Sequence, residues 1–223
     1  MPASVIADLG HNGVVPELSG RFVTLIPLAF HHVEDLLAVA TDDRSTFSFT
    51  PVPWDRTTMD AYVTKALDRQ EAGEHLPFAT FSVAEQRIVG TTRFYDLTPW
   101  DWEGLVEEPG KFRRTGAPDS VSIGYTWLHP SAQRSPVNTE AKVLMIDHAF
   151  DVWDARVVRI FTDARNERSR AAVERLGFQL DGVIRADRPA AYGGVRDTAL
   201  YSLLPTEWPE HRRRLADRLD RSV

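Results

Sequence analysis

The chain has 223 residues, a formal net charge of −6, 43% hydrophobic and 26% charged residues, and no cysteine. That composition allows a self-sufficient globular core; it excludes disulfides, thiolate metal sites and a cysteine nucleophile, and with them any acyl-cysteine relay. No apolar run approaches the roughly 18 residues of a membrane span, and the acidic balance argues against nucleic acid as the main partner.

Residues 1–17 show no clear period and read as a loose leader; MPASVIADLGHNG lacks the basic and apolar regions of a signal peptide, so a cytoplasmic location is expected. Arg21 to Leu28 predicts a first strand. Val33, Leu36, Leu37 and Ala40 then share one helical face. Residues 42–56 read as loop, and Thr57 or Thr58 is the expected cap of a second helix that runs to about Glu71 and stops near Gly73. Phe78–Val83 and Arg87–Leu97 predict an antiparallel pair turning at Glu85 and Gln86.

Residues 98–119 contain three prolines, three glycines and two tryptophans without a period, an inserted loop of a length that usually serves a function. Ser120–Leu128 alternates Val121, Ile123, Tyr125 and Trp127 with small or polar residues, a strand. Asn138–Trp153 predicts a helix with Ala141, Leu144, Met145, Ala149 and Val152 on one side. Arg156–Asp163 is a strand, and Glu167–Leu176 a short helix closed by Gly177. Phe178–Ile184 and Thr198–Leu204 are the last strands, and 206–223 a polar C-terminal helix whose Arg212, Arg213 and Arg214 form a solvated face. With no repeat and no linker, residues 1–223 form one α/β domain.

Two segments carry chemistry. His129 to Asn138 (HPSAQRSPVN) joins a strong strand to a strong helix. A helix start offers unpaired N–H groups and partial positive charge, which stabilise an anion such as a pyrophosphate. Asn138 or Thr139 can cap it, and Arg134 adds a donor fork for phosphate. An ordinary strand-to-helix connection would look the same. In the second segment, Asn166 follows a strand and opens a helix ending in Leu176-Gly177-Phe178; helix capping alone would also explain that asparagine.

Asn166 to Phe178 reads N-x-x-S-x-x-A-x-x-R-L-G-F, and this resembles the segment after the fifth strand of the GNAT acyltransferases. The loop SAQRSPVNTEAK stands where that family has its pyrophosphate loop. The branch containing the RimJ and RimL ribosomal-protein N-terminal acetyltransferases is most similar, in the opening strand and last strand as well, and the resemblance spans about residues 17–210. It implies the GNAT fold: a mixed central sheet of about seven strands flanked by helices and splayed between the fourth and fifth. It implies an acyltransferase that moves an acetyl group from acetyl-CoA to a primary amine, a protein N-terminal α-amine or a small-molecule amine, directly and without an acyl-enzyme.

By the same resemblance the backbone at Trp127, Leu128 and His129 pairs with the pantetheine arm. Gln133, Arg134, Ser135, Pro136, Val137 and Asn138, with Thr139 beside them, wrap the pyrophosphate. Asn166 holds the pantetheine, and Ser169 protonates the departing thiolate. No metal is expected, since His31, His32 and Asp35 lack a further ligand. The partners are acetyl-CoA and an amine acceptor. The insert is expected to line an acceptor cleft or to build an oligomer interface, which leaves a homodimer open.

The sequence departs from the family pattern at informative places. Pro136 replaces a glycine and has no N–H to give; one hydrogen bond lost to a charged group costs about 1.5–3 kcal/mol. Asn138 stands where glycine or alanine is usual. Val173 occupies the position of a tyrosine acid, and Arg188, beside Asp187, that of a glutamate base. Asp96, Glu103, Asp119 and His129 remain candidate bases, each equally readable as an ordinary polar side chain, and the Leu128 or His129 N–H is the natural oxyanion donor. These departures keep open a CoA-binding or regulatory protein without catalysis, and an interaction protein on the same fold.

Overall fold

Period-two alternation builds the sheet. The computed structural model describes residues 15–105, 117–191 and 193–221. Its strands are β1 (Leu18–Ser19), β2 (Val23–Pro27), β3 (His75–Ser82), β4 (Arg87–Thr98), β5 (Ser120–Leu128), β6 (Val157–Asp163), β7 (Gln179–Pro189) and β8 (Val195–Leu203). They form one sheet in the order β1-β2-β3-β4-β5-β6-β8-β7. All pairings are antiparallel except β5 with β6. The expected seven strands are joined by an eighth, the two-residue β1. The last hairpin is longer at its turn than its apolar residues announce, because charged residues carry β7 on to Pro189 and start β8 at Val195.

The helices are α1 (Val33–Asp42), α2 (Arg56–Glu71), α3 (Pro136–Asp147), α4 (Glu167–Arg175) and α5 (Trp208–Asp220). Leu36 and Val39 of α1 and Met59 and Val63 of α2 share a cluster with Ala79, Ile88 and Trp127 of the sheet. Ala141 and Met145 of α3 and Leu215 of α5 share the other, larger core with Phe78, Phe94, Val121 and Ile123. Helices therefore cover both faces, as the alternating strands require.

Three local expectations are corrected. The cap of α2 is Asp55, not Thr57 or Thr58: Asp55 Oδ1 accepts from the Thr58 N–H (2.8 Å), and Thr58 Oγ1 accepts from the Asp55 N–H (3.1 Å), a reciprocal capping box. Helix α3 starts at Pro136, before the expected Asn138, and ends in a π-helical turn at His148–Val152. That wider turn advances the face, so Val152 points outward while Phe150 and Trp153 enter the core. Helix α5 is polar on one side only; Trp208, Leu215 and Leu219 are buried, and Arg212 Nε donates to Asp147 Oδ1 (2.8 Å) rather than standing free in solvent.

Residues 1–14 of the expected leader and 106–116 of the insert lie outside the described residues. Within the insert, the rings of Trp100 and Trp102 stand 5.8 Å apart, and the Trp100 N–H donates to Asp119 Oδ2 (2.7 Å). No helix among the described residues is long and apolar enough to cross a membrane.

Candidate active site

Strands β5 and β6 run parallel and pair only over Ser120–Ser122 against Val157–Arg159. From Ile123 onward they diverge, while β6 stays paired with β8 as far as Asp163. The result is a V, open at the C-terminal ends of two parallel strands. Each of those strands feeds a helix, so the starts of α3 and α4 both face the mouth. This is where a parallel α/β arrangement places a ligand.

The backbone of β5 is prepared for that role. The His129 N–H donates to the Val89 carbonyl (2.7 Å). In an antiparallel ladder alternate residues turn their N–H and C=O away from the partner, so those of Leu128 face the V. The Leu128 carbonyl accepts Gln133 Nε2 (2.8 Å), and its N–H stays directed at the open side. Of the two expected donors, Leu128 and His129, the His129 N–H is thus committed to β4 and that of Leu128 faces the V. Gly90 allows the close approach of β4 here: its φ is 156°, and a Cβ would lie 2.0 Å from the Trp127 carbonyl oxygen. The Trp127 side chain is buried against Phe47, with ring centroids 6.1 Å apart.

The loop after β5 is held by a clasp. Gln133 Nε2 also donates to Thr46 Oγ1 (2.7 Å), Arg168 Nη1 donates to Gln133 Oε1 (3.1 Å), and Arg168 Nη2 donates to the Thr46 carbonyl (2.8 Å). The Gln133 side chain thus ties the loop to α4 and to the α1–α2 connection. His129 is likewise occupied: Nε2 lies 2.9 Å from Asp42 Oδ2, and Nδ1 lies 2.7 Å from Ser131 Oγ. Arg134 has a φ of 61°, and its exposed side chain makes no ion pair among the described residues.

Ser135 is the cap of α3, correcting Asn138 and Thr139; its Oγ accepts from the Val137 N–H (3.3 Å). Pro136 is the first helical residue, where its fixed φ suits the helix and the missing N–H is an orphan in any case. Of the donors that a helix start leaves unpaired, those of Ser135 and Asn138 remain. Asn138 Oδ1 is buried and has no partner, whereas Thr139 lies one residue deeper in the helix. At the second helix, Asn166 Oδ1 accepts from the Ser169 N–H (3.0 Å). Capping uses only that oxygen and leaves the Asn166 amide donors unengaged. Ser169 is half-buried on the first turn of α4. A cavity of about 320 Å³ lies between Ser45, Thr46, Ser48 and Phe49 on one side and Arg165 to Arg168 on the other.

The candidate bases fare differently. Asp119 is buried at the closed end of the V and accepts from Trp100. Glu103 is exposed in the insert. Asp96 accepts from Ser122 Oγ (3.3 Å).

Sequence reasoning read Tyr125 as a core residue. It has a φ of 51°, on a β5 bulge between the Thr91–Trp127 and Arg93–Gly124 pairs, and is 48% exposed. A bulge inserts an extra residue and re-aims the side chain. Beneath it lie Arg93 and His75, which the sequence reading passed over. The available signal was an arginine inside an otherwise inward-facing strand. Lys142 was also missed: it is buried on the α3 side, with Nζ donating to Thr92 Oγ1 (2.9 Å) and Thr126 Oγ1 (2.8 Å).

Open ends of two diverging parallel strands, an uncommitted backbone donor between them and two helix starts at the mouth define an acyl-CoA transferase of the splayed-sheet type. The free donors of Ser135, Asn138 and Arg134 suit a pyrophosphate, and those of Leu128 and Asn166 suit the amide-bearing arm of CoA, so the residues present fit the cosubstrate.

Residues 23–179 match the family model described as "Acetyltransferase (GNAT) domain". "Probable N-acetyltransferase YjcK" of Bacillus subtilis (strain 168) is 24% identical over 173 residues, covering 75% of this chain and 86% of the relative. A GCN5-related N-acetyltransferase from Brucella melitensis superposes with a TM-score of 0.77 at 26% identity, covering 92% of this chain and 86% of that one. Mycobacterium smegmatis RimJ, solved with CoA-disulfide, shares the fold with a TM-score of 0.69 at 20% identity, over 88% of each chain. The chain belongs to the GNAT acetyltransferases and is an acetyl-CoA-dependent acyltransferase.

Proposed function

We propose that this enzyme transfers the acetyl group of acetyl-CoA directly to a primary amine, either a protein N-terminal α-amine or a small-molecule amine. The observation that carries the reading is the opening of β5 from β6 with the Leu128 N–H turned into the gap. Acetyl-CoA supplies the thioester. Leu128 donates to the acyl oxygen, and because that donor is fixed by the strand no reorganisation is needed as charge develops. Asn166 holds the pantetheine through its free amide donors, and Ser135, Asn138 and Arg134 hold the pyrophosphate. Ser169, on the first turn of α4, gives a proton to the leaving sulfur and takes one back from the nitrogen that has attacked, so that a neutral amide and CoA thiol are formed and the hydroxyl is restored. With no cysteine in the chain, a direct attack by the amine is favoured over a thioester relay.

None of the three carboxylates is set up as a strong base. Asp119 is spent on Trp100, Glu103 lies out in the insert, and Asp96 faces only a serine hydroxyl. An α-amine, with a pKa near 8, is already about one tenth neutral at pH 7, whereas a lysine is not. This favours α-amines or comparably weak bases as acceptors. Calorimetric titration with acetyl-CoA, repeated on Asn166→Ala, tests the cosubstrate site. Binding weakened about tenfold by the substitution supports the assignment, and equal binding by both proteins refutes it.

Two copies of the chain are the assembly we infer. Strand β7 ends the sheet and exposes Leu180, Val183 and Ile184, an edge that invites pairing. Antiparallel pairing of two β7 strands about Val183 places Asp181 of each opposite Arg185 of the other, so the edge is self-complementary in charge.

A further inference from the structure

On the α2 side of the sheet, beside the open strand β5, Arg93 is only 3% exposed. A buried guanidinium ordinarily meets a carboxylate, and this one has none among the described residues. Its Cζ lies 4.2 Å from the Tyr125 ring centroid and 5.0 Å from that of Tyr62, so aromatic faces hold it. Its Nη1 lies 3.4 Å from His75 Nδ1, and its Nε is buried without a partner. His75 does not add a charge: burial first, then Arg93 and Arg69, push its pKa down to about 4.

Arg69 of α2 and Arg188 of β7 both interact electrostatically with the Tyr125 phenol, and Arg188 and Arg196 with the neighbouring Tyr95, whose ring centroid lies 5.2 Å from that of Tyr125. Of the acids nearby, Glu74 pairs with Arg69 and Asp187 with Arg188, Asp163 acts on Arg196, and Asp96 is exposed. Arg93 has no carboxylate partner among the described residues, and the paired Arg69 and Arg188 side chains remain 49% exposed. In a chain with a net charge of −6, the buried Arg93 thus sets an unpaired positive charge against Tyr125. Tyr125 precedes Leu128 by three residues, about 10 Å along a strand, so a group bound at Tyr125 belongs to the same acceptor whose amine reaches the acetyl donor.

We propose that the acceptor carries a carboxylate or phosphate close to its amine, and that this anion docks beside Tyr125, over the unpaired charge of Arg93 and within the field of Arg69 and Arg188. The inference rests on the acetyltransferase reading and narrows its acceptor class. An unscreened buried cation focuses its field into a cleft with low-dielectric walls. Polyamines and other cationic acceptors are disfavoured by the same field.

The test uses the full-length chain and matched acceptors. One arm compares peptides that carry Asp, Asn or Lys after the N-terminal residue. The other compares a free amino acid, its carboxamide and its phosphate-bearing analogue. The expected result is a kcat/KM for the anionic member about tenfold above its neutral partner, with Arg69→Gln and Arg188→Gln each cutting that ratio severalfold and Arg188→Lys restoring part of it. A preference for neutral or cationic acceptors, or a ratio that neither variant changes, overturns the proposal. The two arms tell an acidic chain terminus from a small anionic amine. Calorimetric binding of the N-acetylated Asp and Asn peptides gives a readout independent of turnover. Discrimination in binding without turnover upholds the anion site while refuting the acetyltransferase reading, and absence of discrimination in both refutes the site.

Discussion

Burial sets the charge of Lys142. Its only partners among the described residues are the hydroxyls of Thr92 and Thr126, and burial lowers its pKa from 10.5 to about 7. Between these two values the unfolded chain binds the proton that the folded chain releases. Stability therefore rises with pH through that window and declines as the pH falls toward 7. Lys142→Met removes the dependence. Denaturant melts at about pH 7.5 and about pH 9.5 are expected to show wild type gaining about 2–3 kcal/mol more than the variant over that interval; equal gains would mean that Lys142 stays charged. Glu140, two residues earlier, has the opposite design. Its carboxylate accepts from the N–H groups of Arg21 (2.9 Å), Phe22 (2.6 Å) and Val23 (3.0 Å), fastening α3 to the entry of β2. Glu140→Ala strands these donors and is expected to cost about 3 kcal/mol or more, read as a shift in the denaturation midpoint.

At the scale of elements, the start of α3 decides how much Pro136 matters. The sequence reading placed the helix cap at Asn138 or Thr139, which would put the proline in the anion-binding turn itself. Ser135 caps instead, and Pro136 sits at the first helical position, where no intrahelical hydrogen bond is lost and the Ser135 and Asn138 donors remain for the anion. Pro136→Gly is therefore expected to change acetyl-CoA affinity by less than about threefold, well short of Asn166→Ala. A large gain in affinity with glycine would show that the proline obstructs the site after all.

The same elements show what the sequence made legible. Strand β5, helix α4 and its Gly177 cap were readable because local periodicity and capping chemistry are properties of neighbours in the chain. The order of strands around the V was available only through the resemblance carried by Asn166 to Phe178. Bulges are set by pairing with another strand, so nothing local marked the Tyr125 bulge, and the one local sign of the site above it was Arg93 inside an otherwise inward-facing strand. The clasp of Thr46, Gln133 and Arg168 joins three distant segments and was equally invisible. The π turn after α3 escaped for a related reason: one extra residue in a turn shifts the face without changing the composition.

Over the whole molecule, the distribution of charge matters more than its sum. The chain is acidic overall, while the proposed acceptor side sets Arg93 of β4 against Tyr125, with Arg69 of α2 and Arg188 of β7 interacting with the same tyrosine. Edge strand β7 carries Arg188 and also the exposed Leu180, Val183 and Ile184 of the edge proposed for pairing. Light scattering after size exclusion is expected to report a dimer, and Val183→Lys, with its charge placed on the pairing axis, a monomer; a wild-type monomer at all concentrations would discard the pairing. The central claim concerns transfer itself. Its most direct measurement is the release of CoA thiol from acetyl-CoA in the presence of an α-amine acceptor, with mass spectrometry of that acceptor. The account predicts thiol release that saturates with amine, matched by one added acetyl group on the amine nitrogen and greatly reduced in Asn166→Ala. Tight binding of acetyl-CoA with no amine-dependent thiol release across anionic, neutral and cationic acceptors would contradict it.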